Sequence, residues 1–289
     1  MNRKLIPILF AVMLVTLACG ISVPHLPTPG ALVTEQVEVP APTPALSGAE
    51  VSGETRLTLA FGAGKLYVAP GAQGMLVQGS ATYNYSELKP NIKTSDGNIR
   101  VQTGDGNFKT FPAFRDLTNI WDLKLGDAPI DLTIEAGAYD AVYDLGGLAL
   151  TNLTIKDGAS DVKVNFSAPN RTTMSILRYE TGASTVKLTG LANANFGTLL
   201  FNGGAGDYTL DFSGQLQRDA AATVECGFSN IILIIPAGVH AVVTTEGGVS
   251  NVNAGPGWVQ NGNVYTQAGD GPTLTILVKT GAANLTLTR

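Results

Sequence analysis

Histidine and cysteine are almost missing from this sequence, with two of each in 289 residues. So few cannot assemble a thiolate and imidazole metal cage or a disulfide framework, and no metal or other cofactor is expected. Charge is scarce as well. Asp, Glu, Lys and Arg make up 14% of the chain, against about a quarter in an average soluble domain, which leaves too few for the polar faces of long amphipathic helices. A helical bundle is excluded first. The 18 basic residues are outnumbered by 23 acidic ones and form no cluster, so nucleic acid is not a partner. What the chain has in quantity is glycine, 34 residues of it, within a composition that is 44% hydrophobic. That combination favours many short strands joined by tight turns.

Long apolar runs are also lacking, except at the start. Asn2-Arg3-Lys4 precede an apolar stretch from Leu5 to Ala18 that is broken only by Pro7 and Thr16. This run is shorter than the roughly 20 residues that span a bilayer comfortably, and it reads as the core of a signal peptide, residues 1–18. The segment Val15-Thr16-Leu17-Ala18-Cys19 resembles a bacterial lipobox, with Thr16 where the strongest form has Leu. That resemblance implies cleavage before Cys19 and a lipid on its thiol; the alternative is an ordinary secretory signal with an incidental cysteine. Residues 19–55 are rich in Pro, Ser, Thr, Gly and Ala and carry His25. They read as a disordered tether that holds the folded part off the membrane.

From Leu57 onward the chain repeats itself. Each unit alternates apolar and polar residues on both sides of a glycine followed by small residues. The glycines are Gly62, Gly137, Gly158, Gly182, Gly204, Gly227, Gly248 and Gly281, and from Gly137 to Gly248 they fall 21, 24, 22, 23 and 21 residues apart. Positions five and three before the glycine, and four and six after it, are nearly always apolar, the mark of strands with one buried face. The glycine suits a corner that needs either positive φ or no Cβ. One coil alone buries too little to offset its ordering entropy, so coils must stack. The expected fold is all-β, a single-stranded right-handed β-solenoid of about 21–24 residues per coil. Residues 56–130 are read as a first coil with an N-terminal cap of antiparallel strands, and 131–289 as the remaining coils of the same domain. The cap would hold Tyr83, Tyr85, Phe108, Phe111, Phe114 and Trp121, covering the open apolar end. Trp258–Tyr265 reads as a hairpin with an Asn-Gly turn at the other end.

Stacking in sequence order turns each repeat position into a surface column. Two residues before the glycine the column holds Glu135, Lys156, Glu180, Asn202, Glu225, Glu246 and Lys279. Its first members alternate in charge, whereas Glu225 over Glu246 sets like charges one coil apart. Three after the glycine stand Lys65, Asp140, Asp161, Thr185, Asp207, Asn230, Asn251 and Asn284, suited to turns and amide ladders. Paired acids on such columns are what a polysaccharide-cleaving solenoid would use. Cys226 reads as a small corner filler, since His240 is the only base that could serve it.

The phrases Leu57–Pro70, Trp121–Gly137, Leu145–Val164 and Ile235–Gly248 resemble the toast-rack domains, linked to cell-wall-active antibiotics response proteins and the Lia-type envelope-stress regulator. The resemblance covers Gly53 to Arg289 and implies an adhesin-like β-solenoid of the bacterial envelope. The expectation is a non-enzymatic lipoprotein on the extracytoplasmic face of the cell membrane. It would be held there by its N-terminal lipid and would bind an envelope protein or glycan, adhere, or sense envelope stress. A carbohydrate-active enzyme acting on wall polysaccharide is the alternative.

Overall fold

A computed structural model of the chain describes residues 29–41, 55–95, 97–104 and 116–289. Cys19, the signal peptide, His25, Phe108, Phe111 and Phe114 lie outside the described residues. No α-helix occurs among those described. The strands begin with β1 (Val33–Pro40), β2 (Thr55–Pro70), β3 (Met75–Tyr83), β4 (Pro90–Ser95), β5 (Asn98–Thr103) and β6 (Asn119–Leu125). Long strands follow: β7 (Ile130–Asp144), β8 (Leu150–Asn165), β9 (Met174–Thr189), β10 (Phe196–Asp211) and β11 (Ala220–Ile234). The last are β12 (Gly238–Ala254), β13 (Trp258–Asn261), β14 (Val264–Gln267) and β15 (Gly269–Thr288). All belong to one open sheet of 15 strands.

Each coil is a single strand that runs through its glycine rather than two strands around a turn. From β2 through β7, β8, β9, β10 and β11 the coils pair in parallel with matching repeat positions opposite each other, as in Leu153 opposite Leu177 and Val164 opposite Leu188. Position three before the glycine and position four after it are an odd number of residues apart, which strict alternation would put on opposite faces. Every coil makes the same kink at its glycine, so the inner face stays inner on both sides and the neighbours keep register. Leu57, Leu59, Leu66 and Val68 of β2 are accordingly buried, as are Leu199, Phe201, Tyr208 and Leu210 of β10.

The kink needs glycine for space, not for positive φ. None of the eight corner glycines has a left-handed backbone. A Cβ on Gly182 would lie 2.5 Å from the carbonyl oxygen of Gly158, and one on Gly204 would lie 2.3 Å from that of Gly182. The glycines form one column, each resting on the carbonyl of the last.

That column corrects the expected order at its end. A Cβ on Gly281 would face the Gly227 oxygen at 3.3 Å, and one on Gly248 would meet the Gly281 oxygen at 1.9 Å. β15 therefore lies between β11 and β12, parallel to both. Apolarity gives the reason. Leu274, Ile276, Val278, Leu285 and Leu287 of β15 are all buried, whereas at the matching positions β12 has Ala241 opposite Leu274, Val243 opposite Ile276, Val252 opposite Leu285 and Ala254 opposite Leu287. The richer coil occupies the interior place and the poorer one the end. β14 pairs antiparallel with Ala241–Thr244 of β12, and β13 lies outside it. The hairpin turn is Gly262-Asn263 rather than Asn-Gly, with Gly262 at φ 61°, which is the place a glycine-first hairpin turn requires.

Two expectations at the other end change. The cap is only partly antiparallel: β3 runs against β6 and β4 against β5, but β5 and β6 lie parallel to the two halves of β2 and so complete a coil in two pieces. The segment expected as a tether contains β1, which pairs antiparallel with β3. Val37 and Val39 enter the main core, and Glu35 accepts a hydrogen bond from the Tyr83 hydroxyl at 3.0 Å while pairing with Lys89 at 3.0 Å. The lysine first, then the tyrosine, holds the Glu35 carboxyl below its usual range. The alternation in Val33-Thr-Glu-Gln-Val37-Glu-Val39 marks a strand that the surrounding prolines obscure.

Candidate functional site

The outward bend at the corners forms an open groove of about 880 Å³, walled on one side by the column two residues before the glycines. Register brings Glu135, Lys156, Glu180, Asn202 and Glu225 into successive rungs as expected. The next rung is Lys279, and Glu246 follows it. Glu225 and Glu246 are thus not neighbours. The Lys279 ammonium stands 3.6 Å from the Glu225 carboxylate and 3.9 Å from that of Glu246. Lys156 pairs with Glu180 at 3.5 Å, with Arg178 on the same carboxyl group at 3.4 Å. Arg100 reaches Glu135 at 2.8 Å from β5. Neither arginine belongs to this column: Arg178 stands two residues before Glu180 on β9, and Arg100 lies on a strand outside the repeat. Each of these half-exposed pairs contributes only about 0–1 kcal/mol. Together they leave every glutamate of the wall with a cation.

The floor of the groove is the column immediately before the glycines. Seven coils place Phe61, Ala136, Thr181, Gly203, Cys226, Gly247 or Thr280 there, and β8 places Asp157. This carboxylate gathers hydroxyls: Tyr179 donates at 2.7 Å, Tyr139 at 3.3 Å and Thr181 more closely still, while Tyr143 donates to the Tyr139 oxygen at 3.2 Å. Burial, reinforced by the neighbouring charge, raises the Tyr139, Tyr143 and Tyr179 hydroxyls well above the usual tyrosine range. The sequence signal for this network is one acid in a column of small and apolar residues. Cys226 is buried and unbridged, and burial pushes its thiol up to about 11. His240 pairs with Thr273 of β15 whereas Cys226 pairs with Thr280, so the two do not meet.

The far side of the corner carries the column three residues after the glycines. Asn284 donates to the Asn230 side-chain oxygen at 3.0 Å, and Asn230 donates to Asp207 at 2.8 Å. This is an amide ladder ending on a carboxylate. Asp140 and Asp161 also occupy facing rungs, with Lys65 beside Asp140. Trp121 is buried edge-on against Phe61, with ring centres 5.3 Å apart. Tyr83 and Tyr85 form a small buried cluster with Leu88. These aromatics fill the end of the stack. Among the described residues, no three His, Cys, Asp or Glu side chains are grouped to hold a metal ion, and no helix is long and apolar enough to cross a membrane.

Residues 49–177 match the N-terminal domain of toast_rack, DUF2154. A comparison with curated protein sequences finds no match. Among solved structures, a "putative cell adhesion protein" from Clostridium sporogenes is similar over 89% of this chain and 99% of that one, at 18% identity and a TM-score of 0.52. A "putative adhesin" from Bacteroides fragilis covers 89% of this chain and 97% of its own, at 12% identity and a TM-score of 0.40. A "putative lipid binding protein" from Parabacteroides distasonis covers 90% and 98%, at 10% identity and a TM-score of 0.38. The first of these shows the shared fold.

Proposed function

We propose, from the match of residues 49–177 to the toast_rack N-terminal domain, that this chain is a non-enzymatic binding module of the cell envelope. Its lipid is carried on Cys19, its folded part stands outside the membrane, and its corner surfaces engage an envelope protein or glycan in adhesion or stress sensing. One observation carries the non-enzymatic part of this reading. The glutamates of the groove wall are consumed in ion pairs with Arg100, Lys156, Arg178 and Lys279. A paired-acid hydrolase needs one carboxyl group kept protonated and a second free to attack or to activate water. A rigid sheet with its charges matched along the wall offers contact area and register instead.

The test uses the full chain expressed in bacterial membranes. Wild type is expected to incorporate radiolabelled palmitate and Cys19→Ala to lose the label. The wild-type chain is also expected to retain purified wall polysaccharide or an envelope protein in pull-down without releasing reducing ends. Labelling that persists in Cys19→Ala overturns the anchor, and steady release of reducing ends overturns the non-enzymatic reading.

A further inference from the structure

Phe228 stands one residue after its corner glycine and is 74% exposed. Six other coils place alanine there: Ala63, Ala138, Ala159, Ala183, Ala205 and Ala282. Two of these, Ala205 and Ala282, are the rung neighbours of Phe228 on either side. Their short side chains leave both faces of the ring uncovered. Folding gains nothing from a large ring in a position that alanine fills on both neighbouring rungs, and a phenylalanine left in water forgoes the gain of burial. The ring sits at the edge of a groove of about 480 Å³ whose other members include Asp207, Asn230 and Asn284. Those three are linked rung to rung at 2.8 and 3.0 Å. Each of the two amides spends one N–H on that ladder and keeps a second.

We propose that this corner is a binding subsite for a neutral pyranose ring of a surface polysaccharide. A pyranose has an apolar C–H face that matches an exposed aromatic ring, and a rim of hydroxyls that both donate and accept. The ladder of one carboxylate and two amides, two residues further along the strands than Phe228, supplies planar acceptors and donors for that rim. A single ring between alanines is too small an apolar area to hold a lipid tail, and the Asp207 carboxylate turns away phosphate and uronate groups. The subsite rests on the binding-module reading and adds the ligand class to it.

The experiment is saturation-transfer NMR on the full chain with neutral hexose and N-acetylhexosamine oligosaccharides, repeated with Phe228→Ala, Phe228→Trp and Asn284→Ala. Signal is expected on the ring C–H protons of at least one neutral sugar. Phe228→Ala is expected to weaken that binding about tenfold or more, Phe228→Trp to keep it, and Asn284→Ala to weaken it. The Tm of Phe228→Ala should match wild type, because the ring is exposed. Absence of signal from every sugar, or equal binding by Phe228→Ala, overturns the subsite. If vesicles of phosphatidylglycerol bind through Phe228 instead, lipid is the occupant and the subsite is likewise overturned. A chain that binds no sugar yet retains an envelope protein refutes this subsite alone. A chain that retains neither removes the binding-module reading with it.

Discussion

Lys279 bridges Glu225 and Glu246, two glutamates that sequence order would have placed side by side. The bridge exists because β15 slots between β11 and β12, and it neutralises a repulsion by position alone. Lys279→Glu would put three carboxylates on successive rungs. The expected loss is about 1 kcal/mol at low salt, since all three groups are about half exposed, or roughly 2–4 °C in Tm. Molar salt should shrink the difference. Calorimetry at two ionic strengths checks it, and a loss independent of salt would mean that packing, not charge, links these rungs.

The glycine column sets a second expectation. Gly204→Ala puts a methyl group 2.3 Å from the Gly182 carbonyl oxygen, so the two coils must separate or tilt. The cost should be on the order of 1–3 kcal/mol, read by denaturant unfolding. Gly271→Ala, where a Cβ meets nothing within 4 Å, is the control and should unfold like wild type.

The repeat period, the apolar inner positions and the glycine corners were all legible in the sequence, because each coil repeats the same alternation and the corners leave no room for a side chain. Order at the two ends was not legible. Nothing local in β15 says that it precedes β12 in space; only the comparison of Leu274, Ile276, Val278, Leu285 and Leu287 with the thinner apolar content of β12 does. β1 was hidden by composition, since Pro29 and Pro40 flank an alternation only a few residues long. The charge column runs rung to rung from Glu135 to Glu225, where Lys279 breaks the order of the chain. The Asp157 network and the exposed Phe228 were visible as departures from their own columns, a signal that emerges only when the copies are aligned by position.

Asp157→Ala should be among the more damaging changes at the corner. It strands the hydroxyls of Tyr139 and Tyr179, which donate to that carboxylate, whereas Thr181 keeps its bond to the Ser184 hydroxyl. Each buried hydroxyl left without a partner costs about 1–3 kcal/mol. Asp157→Asn keeps the shape and part of the bonding and should lose less, a ranking that urea unfolding of the two variants will test.

Alkali should act on the same cluster. Burial raises Tyr139, Tyr143 and Tyr179 well above the ordinary value of 10.0. Their contribution to stability is full below pH 10, where they are protonated in both states. It falls as pH climbs from there toward the folded-state values, because the unfolded chain releases those protons first. Absorbance at 295 nm should show these tyrosines ionising together with loss of the β-sheet circular dichroism. Ionisation at pH 10 with the sheet intact would contradict the burial.

Removing residues 269–289 tests the strand order directly. With β15 interior, its loss opens a gap beside β11 and leaves β12 without its parallel partner, so amide exchange should accelerate in both. Were β15 the outermost strand, β12 would keep its protection.

The position of β15 also has a temporal meaning. β15 follows β12 in the chain yet fills a slot ahead of it in the sheet, so β12 has no parallel neighbour to dock on until residues 269–288 have been made. A chain that lacks β15 leaves that slot open and bares the facing edges of β11 and β12. β15 thereby acts as a keystone, closing the stack from within and out of its order along the chain.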